Sequence, residues 1–297
     1  MRSIKNFVFL LKFNYNRNGI GILKIFPPLN SLSYSFYFKQ QPEEKEGFFR
    51  LVWSKKYQTQ KTAFYILITY ILCFQFSAFL LYIPAIRSFF LNFITSEGDV
   101  ASITLIAWWT AVAGLISVII SVILISRDKN FWNVFKGEKA PLPVAIGWGI
   151  LGFFLVLFGQ SIGAQIEFAL GVDYKSENTE AIMNVTKIAP IMILASVISG
   201  PILEELIFRR VIFGSIIQTQ NFLVAALVSS IMFGVIHLDF SHIILYTITG
   251  FIFAYLYYRT KRLLTSIIAH MLFNGFVTLY QLNYEKIKQM LQLILQI

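Results

Sequence analysis

The sequence predicts an all-α, polytopic integral membrane protein, a helical bundle of about seven transmembrane helices. Of its 297 residues, 57% are hydrophobic and 13% are charged, and the mean hydropathy is +0.67. That composition is too apolar for a soluble domain of this size. Each apolar run should be a helix, because backbone groups in lipid must be satisfied within the segment. One cysteine, Cys73, excludes an internal disulfide framework.

Residues 1–62 are interpreted as a basic N-terminal arm without a transmembrane helix. The arm carries 11 of the 25 Lys and Arg residues and three Glu. Such a segment suits the anionic cytosolic face of a membrane, so the net charge of +10 is assigned to that surface and not to nucleic acid. An organelle transit peptide is the alternative. A signal peptide is not indicated, because a long apolar core and a small-residue cleavage site are both missing.

Residues 63–297 are predicted to be the transmembrane domain, with seven stretches of about 20 residues or more. They lie near 63–86, 101–126, 142–171, 187–213, 221–239, 241–259 and 263–281. The loops 127–139 and 259–262 carry four and three Lys and Arg residues, whereas the loops near 97–99 and 173–180 lean acidic. The positive-inside rule then places the N-terminus in the cytosol. The tail 284–297 is expected to be a short interfacial helix.

Two adjacent glutamates, Glu204 and Glu205, lie in the fourth apolar stretch. An ionisable residue in a span is costly and is a functional-site hypothesis by default. Glu205 and Arg209 are four residues apart and can form an ion pair on one helix face. Glu204 then lies on the adjacent face, where an unpaired, desolvated carboxylate is a candidate general base. The alternative is a salt-bridge cluster at the cytosolic end of a helix.

Three histidines and one asparagine lie in the later stretches. Phe233 and His237 share a helix face, and His237 is a candidate catalytic residue or else an interfacial one. His242 has no partner at a telling spacing and is interpreted as interfacial. His270 and Asn274 also share a face, where both could donate hydrogen bonds to an oxyanion, or could instead clamp two helices together.

Together these residues supply what hydrolysis of a peptide bond by water requires. Glu204, assisted by His237, would deprotonate a water molecule, and His270 with Asn274 would stabilise the tetrahedral oxyanion.

Helix rise gives an estimate of depth. Glu204 lies roughly 8 Å from Arg209, and His270 lies roughly 12 Å from Arg262. Both distances favour a cavity that opens toward the basic, cytosolic side. His237, however, lies roughly 24 Å from the start of its stretch. A tilted helix, a break at a Gly-Pro pair and different span boundaries are all open explanations.

The three motifs, in this order on membrane helices, resemble the CAAX-prenyl-protease and bacteriocin-processing family of intramembrane proteases (CPBP, also called Abi). The sequence carries EELIFR at 204–209, FGVIH at 233–237 and HMLFN at 270–274. No motif position is substituted. The resemblance covers roughly residues 187–281, about a third of the chain.

The resemblance implies a role for each motif residue. It implies that Glu204 is the catalytic base, that Glu205, Arg209 and Phe233 support the site, that His237 helps to activate water, and that His270 and Asn274 are the oxyanion donors. Members of this family have often been called metalloproteases, and Glu204, His237 and His270 could hold a zinc ion. No HExxH helix is present, however, and an asparagine beside His270 suits an oxyanion donor better. We therefore expect a glutamate mechanism without a metal or other cofactor.

The predicted function is intramembrane endopeptidase activity on a membrane-associated peptide or protein in a bacterial plasma membrane. Prenylated C-termini are the substrates in eukaryotic relatives, and bacteriocin processing and self-immunity are associated with bacterial ones. One alternative is a non-catalytic protein of the same fold that acts in bacteriocin immunity or regulates a membrane partner. A transporter is the third hypothesis, although the inverted repeat typical of transporters is not evident in the sequence.

Overall fold

A computed structural model describes residues 10–15, 20–26, 34–39 and 58–295. The chain divides into two compact units, Met1–Leu51 and Val52–Ile297. Most of the predicted basic arm 1–62 lies outside the described residues. Its cytosolic location and its boundary at residue 62 therefore stay predictions.

The first unit contains a three-stranded antiparallel sheet in the order β1–β2–β3. The strands are β1 Leu10–Tyr15, β2 Ile20–Phe26 and β3 Tyr34–Lys39. This sheet was not predicted, because these short runs were compared only with the length of a membrane helix. Their Ile, Phe and Tyr residues are nevertheless typical of strands.

Residues 58–295 form the predicted helical bundle, so the membrane fold class is confirmed. The α-helices are α1 Gln58–Thr69, α2 Pro84–Leu91, α3 Gly98–Ser126, α4 Leu142–Ala169, α5 Glu177–Ile188, α6 Gly200–Glu205, α7 Gly214–Ile216, α8 Phe222–Val235, α9 Ile243–Thr260, α10 Leu263–Leu282 and α11 Tyr284–Leu295. π-Helical segments occur at Tyr70–Gln75, Leu194–Ser199 and Leu206–Phe213, and 3₁₀-helical segments at Ser77–Tyr82 and Phe240–His242. The predicted tail helix is present as α11, and its interfacial location stays a prediction.

Five helical segments in the described part of the chain are long and apolar enough to cross a membrane. They are Gln60–Tyr82, Gly98–Ser126, Leu142–Ala169, Phe240–Thr260 and Leu263–Leu282. The other two predicted spans differ from expectation. The stretch 187–213 is divided, since α5 ends at Ile188 and two π-helical segments flank α6. The stretch 221–239 was too long, because α8 ends at Val235.

Helix α4 packs closely against α9 and α10 through a stripe of small residues. The stripe lies on one helix face and comprises Gly149, Gly152, Gly159 and Gly163. A Cβ atom at Gly152 would collide with the side chain of Leu256 on α9 and would meet that of Ala269 on α10. Small residues of this kind let membrane helices approach closely. The stripe therefore lets α9 and α10 both pack directly against α4.

Candidate active site

The two glutamates of α6 face different surroundings. Glu205 is fully buried, whereas Glu204 keeps 18% of its side chain exposed. Consecutive helical residues diverge by about 100°, so one carboxylate enters the core while its neighbour faces outward. The sequence predicted this divergence.

Glu205 forms the predicted ion pair with Arg209, one turn further along. Its Oε2 lies 3.2 Å from Arg209 Nε, and neither side chain is exposed. Arg209 Nη1 also donates a hydrogen bond to Ser229 Oγ at 3.0 Å. Its guanidinium lies over the ring of Phe233, 4.9 Å from the centroid. A buried charge is tolerated when it is paired, so each of the two ions stabilises the charge of the other.

His270, on α10, lies between the two carboxylates. Its Nδ1 is 3.0 Å from Glu205 Oε1, and its Nε2 is 3.7 Å from Glu204 Oε2. The ring stacks on Phe253 with centroids 4.6 Å apart. Because an ionised carboxylate only accepts hydrogen bonds, Nδ1 carries the hydrogen that it donates to Glu205. The Nε2 atom is therefore the one directed toward Glu204.

Asn274 donates a hydrogen bond to the backbone carbonyl of Ser196, which receives no N–H from Pro201. In the π-helical segment before α6, the N–H of Gly200 donates to the carbonyl of Ala195, five residues back. The next donor in this series would be residue 201, but Pro201 has no N–H. Asn274 Nδ2 instead donates to the carbonyl of Ser196 at 2.9 Å. One amide N–H is used in this way, and the second is available to a ligand.

His237 lies in the turn after α8 and has a fixed ring orientation. Its Nδ1 is 2.7 Å from the carbonyl oxygen of Phe233. A carbonyl only accepts, so Nδ1 carries the hydrogen and Nε2 presents a lone pair. The ring stacks on Tyr246 with centroids 4.1 Å apart and an interplanar angle of 19°. The Tyr246 hydroxyl lies 3.2 Å from Ser176 Oγ and accepts a hydrogen bond from Asn178 Nδ2 at 3.3 Å.

Four predicted site residues line a single cavity of about 610 Å³: Glu204, His237, His270 and Asn274. Phe233 lines it as well, whereas Glu205 and Arg209 lie behind the wall and act on it through His270. The wall also includes polar side chains from within the helical bundle, namely Gln75, Gln160, Thr249 and Thr278. Polar side chains at membrane depth are typical of a water-filled cavity. The arrangement thus places a carboxylate, two imidazoles and an amide around one solvent-accessible space.

A zinc site would need several ligand side chains grouped around one point. Among residues 58–295, no three His, Cys, Asp or Glu side chains are grouped so that they could hold a metal ion. Within the triad named from the sequence, His237 and His270 each donate a hydrogen bond from Nδ1, and Nε2 of each ring stays free, as the coordinating nitrogen of a metal-bound histidine must be. The grouping of side chains therefore gives no support for a metal centre, and the metal-free mechanism stays a prediction; no step below is routed through a metal.

A second carboxylate–imidazole pair, the corner clamp of Glu167 and His242, lies where α4 meets the start of α9. His242 Nδ1 is 2.8 Å from Glu167 Oε2, and its Nε2 is 3.2 Å from the carbonyl oxygen of Lys175. The other Glu167 oxygen accepts the N–H of Leu245 at 2.9 Å, in the first turn of α9. His242 therefore has partners that its spacing in the sequence did not indicate, since its side chain is buried and bonded on both sides. Its interfacial location stays a prediction.

Two contributors were missed from the sequence. Glu167 was overlooked because its partner His242 lies 75 residues away, and Tyr246 because an isolated tyrosine in an apolar span is unremarkable. The ionisable nature of Glu167 in a membrane helix was an available signal.

The helical membrane bundle and its cavity, with an acid, imidazoles and an amide, define a polytopic membrane protein with a hydrolase-type site at membrane depth. Comparison with known proteins agrees. A family model described as type II CAAX prenyl endopeptidase, Rce1-like, matches residues 186–276. No solved structure matches the chain.

Two relatives extend this match over more of the chain. A Bacillus subtilis (strain 168) protein named "Putative membrane peptidase YdiL" is 40% identical over 242 residues, which cover 80% of this chain and 98% of that protein. A Staphylococcus aureus (strain USA300) protein named "Membrane-embedded CAAX protease MroQ" is 38% identical over 178 residues, which cover 57% of this chain and 72% of that protein. The chain belongs to the CAAX-protease (CPBP) family of membrane proteases, which confirms the resemblance of its motifs.

Proposed function

We propose that the protein is an intramembrane endopeptidase in which Glu204 activates water to cleave a membrane-associated peptide or protein. The observation that carries this proposal is the convergence of Glu204, His237, His270 and Asn274 on one cavity with polar walls. These side chains come from α6, from the turn after α8 and from α10, so the fold brings them together across the sequence. Membrane lipids and the peptide substrate are the partners that this function requires.

The reaction begins when the Glu204 carboxylate takes a proton from a water molecule in the cavity. The resulting hydroxide attacks the carbonyl carbon of the scissile peptide bond, while the lone pair on His237 Nε2 accepts a hydrogen bond from the O–H that the nucleophile retains. Glu204 then returns the proton to the leaving nitrogen, and the C–N bond breaks. The products are a carboxylic acid and an amine.

The oxyanion formed in this step receives hydrogen bonds from Asn274 and His270. Asn274 supplies the amide N–H that does not bind Ser196. His270 already donates its Nδ1–H to Glu205, so an Nε2–H on the same ring makes it an imidazolium cation. The Glu205 carboxylate, held in place by Arg209, stabilises that cation.

The decisive test is Glu204→Gln in protein reconstituted into liposomes with a set of membrane-anchored reporter peptides. We expect cleavage to fall by about 10²- to 10⁴-fold, the usual contribution of a positioned general base. The matched control is Glu180→Gln, a second acid on the cavity wall that pairs with Lys175, and it should cleave like the wild type. Undiminished cleavage by a folded Glu204→Gln protein would exclude the proposed role.

A chelator separates this mechanism from a zinc mechanism. We propose that no metal takes part, so cleavage should persist in EDTA. Loss of activity in EDTA with recovery on adding zinc would overturn that part of the proposal. The non-catalytic alternative predicts that neither wild type nor Glu204→Gln cleaves any reporter.

A further inference from the structure

The two ends of the bundle differ in charge. At the first end, the loop 127–141 meets the turn 259–262, where Lys261 Nζ donates to the carbonyl of Lys136 at 2.7 Å and Ala140 N donates to that of Thr260 at 3.0 Å. These two segments contain seven Lys and Arg residues and two acids. We call this the basic end. Helix α1 begins at the same end, after the basic N-terminal segment.

The opposite end is acidic. It comprises helix α11, which follows the end of α10, the segment 83–99 before and at the start of α3, the segment 170–188 that includes α5, and the turn 236–242. The last two segments are joined by a hydrogen bond of 2.8 Å from Ser176 Oγ to Asp239 Oδ2. Together the four contain seven acids and five Lys and Arg residues. We call this the acidic end.

The cavity wall reaches the acidic end and not the basic end. Exposed side chains of Lys175, Asn184, Lys187 and Gln281 line it there. Lys175 at this rim donates to Glu180 at 2.8 Å, and that hydrogen bond raises the pKa of Lys175. In contrast, the wall contains no residue of 127–141, 217–221 or 259–262.

The depth of the cavity follows from α10. Gln281 at the rim and His270 in the interior are eleven residues apart on this helix, which corresponds to roughly 16 Å. The polar side chains of Thr278 and Asn274 line the wall between them. Water and an extended peptide therefore have a polar path from the acidic end to the reactive side chains.

We infer that the cavity opens on the non-cytosolic face of the membrane and that the substrate is a polypeptide segment already presented on that face. Lys and Arg in short loops hold their end of a membrane protein in the cytosol, which places the basic end there and the mouth on the other side. The sequence predicted the opposite, an opening toward the cytosol. That prediction counted depth along each helix from the basic residues, and helix rise does not show at which end a cavity opens. The substrate part of the inference rests on the proposed function, whereas the orientation does not.

Cysteine labelling tests the orientation directly. In a Cys73→Ser background, Asn184→Cys places a thiol on the exposed rim and Glu138→Cys places one in an exposed loop at the basic end. A membrane-impermeant maleimide is applied to intact bacterial protoplasts and, separately, to permeabilised ones. We expect full labelling of Asn184→Cys in intact protoplasts, and labelling of Glu138→Cys only after permeabilisation. The reverse pattern, or equal labelling of both in intact protoplasts, would overturn the inference.

Reporter peptides test the substrate class. The same set of single-span reporters is expressed in two orientations, with the test segment either outside the protoplast or in the cytosol. We expect wild type to cleave only the outside orientation and Glu204→Gln to cleave neither. Cleavage confined to the cytosolic orientation would reject the inference and leave the proposed function intact. Absence of cleavage in both orientations would reject the proposed function and leave the labelling result in force.

Discussion

Residues 58–295 contain two buried carboxylate–imidazole pairs that differ in what surrounds the second ring nitrogen. In both, a histidine Nδ1 meets a glutamate, at 3.0 Å for His270 and Glu205 and at 2.8 Å for His242 and Glu167. The Nε2 of His270 faces Glu204 and the cavity. The Nε2 of His242 is closed by the carbonyl of Lys175 at 3.2 Å.

The second carboxylate oxygen of each glutamate also has a different kind of partner in the two pairs. Glu205 uses it for a charged partner, Arg209, in the core. Glu167 uses it to accept the N–H of Leu245, and so caps the first turn of α9 from a neighbouring helix. The same residue types therefore build a structural clamp where every atom is bonded, and leave one atom free at the cavity where we propose that His270 takes part in the reaction.

The largest expected effect comes from matched substitutions at the two histidines. Asparagine can replace the Nδ1–H donor of histidine but has no counterpart of Nε2. His270→Asn should therefore keep the bond to Glu205 and lower kcat by about 10²- to 10³-fold, as the loss of an oxyanion donor does. His242→Asn should keep kcat and lower the free energy of unfolding by about 1 kcal/mol. Cleavage of a reporter peptide measures kcat, and thermal unfolding in detergent measures stability. Similar losses of kcat in both variants would contradict the assignment of a catalytic role to His270 and a structural role to His242.

An intermediate effect is expected at Asn274, which serves both structure and chemistry. Asn274→Ala leaves the Ser196 carbonyl unpaired, which should cost about 1–3 kcal/mol of stability, and also removes an oxyanion donor. Pro201→Ala supplies the missing backbone N–H. The double variant should regain stability and remain deficient in cleavage. Recovery of both properties would show that the asparagine has a structural role alone.

The smallest effect is expected at Tyr246, which contacts His237 at the cavity and Ser176 near the corner clamp. Tyr246→Phe keeps the stack on His237 and removes the hydroxyl held by Ser176 and Asn178. Without these two contacts the tyrosine ring orients His237 less firmly. A cost of about 1 kcal/mol in the transition state predicts a decrease of about fivefold in kcat with KM unchanged and a shifted pH profile. Tyr257→Phe, at a buried tyrosine near the basic end of α9, is the control and should leave kcat and the pH profile unchanged. A change in melting temperature alone would assign Tyr246 a purely structural role.

The sequence predicted the membrane fold and the identity of the four cavity residues, because both depend on local signals. Apolar runs of spanning length identify helices, and residues at i, i+4 identify a shared face. The corner clamp depends on contact between residues far apart in the chain, which no local pattern contains. The end of the bundle at which the cavity opens was also missed, because it depends on where α5 and the turn after α8 lie against the bundle. The catalytic roles of the four residues remain predictions.

Pro201 has a consequence for how relatives of this protein are compared. Wherever a proline occupies that position, we expect the asparagine on the facing helix to stabilise the fold even in a copy that has lost its enzymatic activity. Retention of this asparagine in a homologue would then report an intact helix junction, and the acid at position 204 would be the better indicator of a working protease.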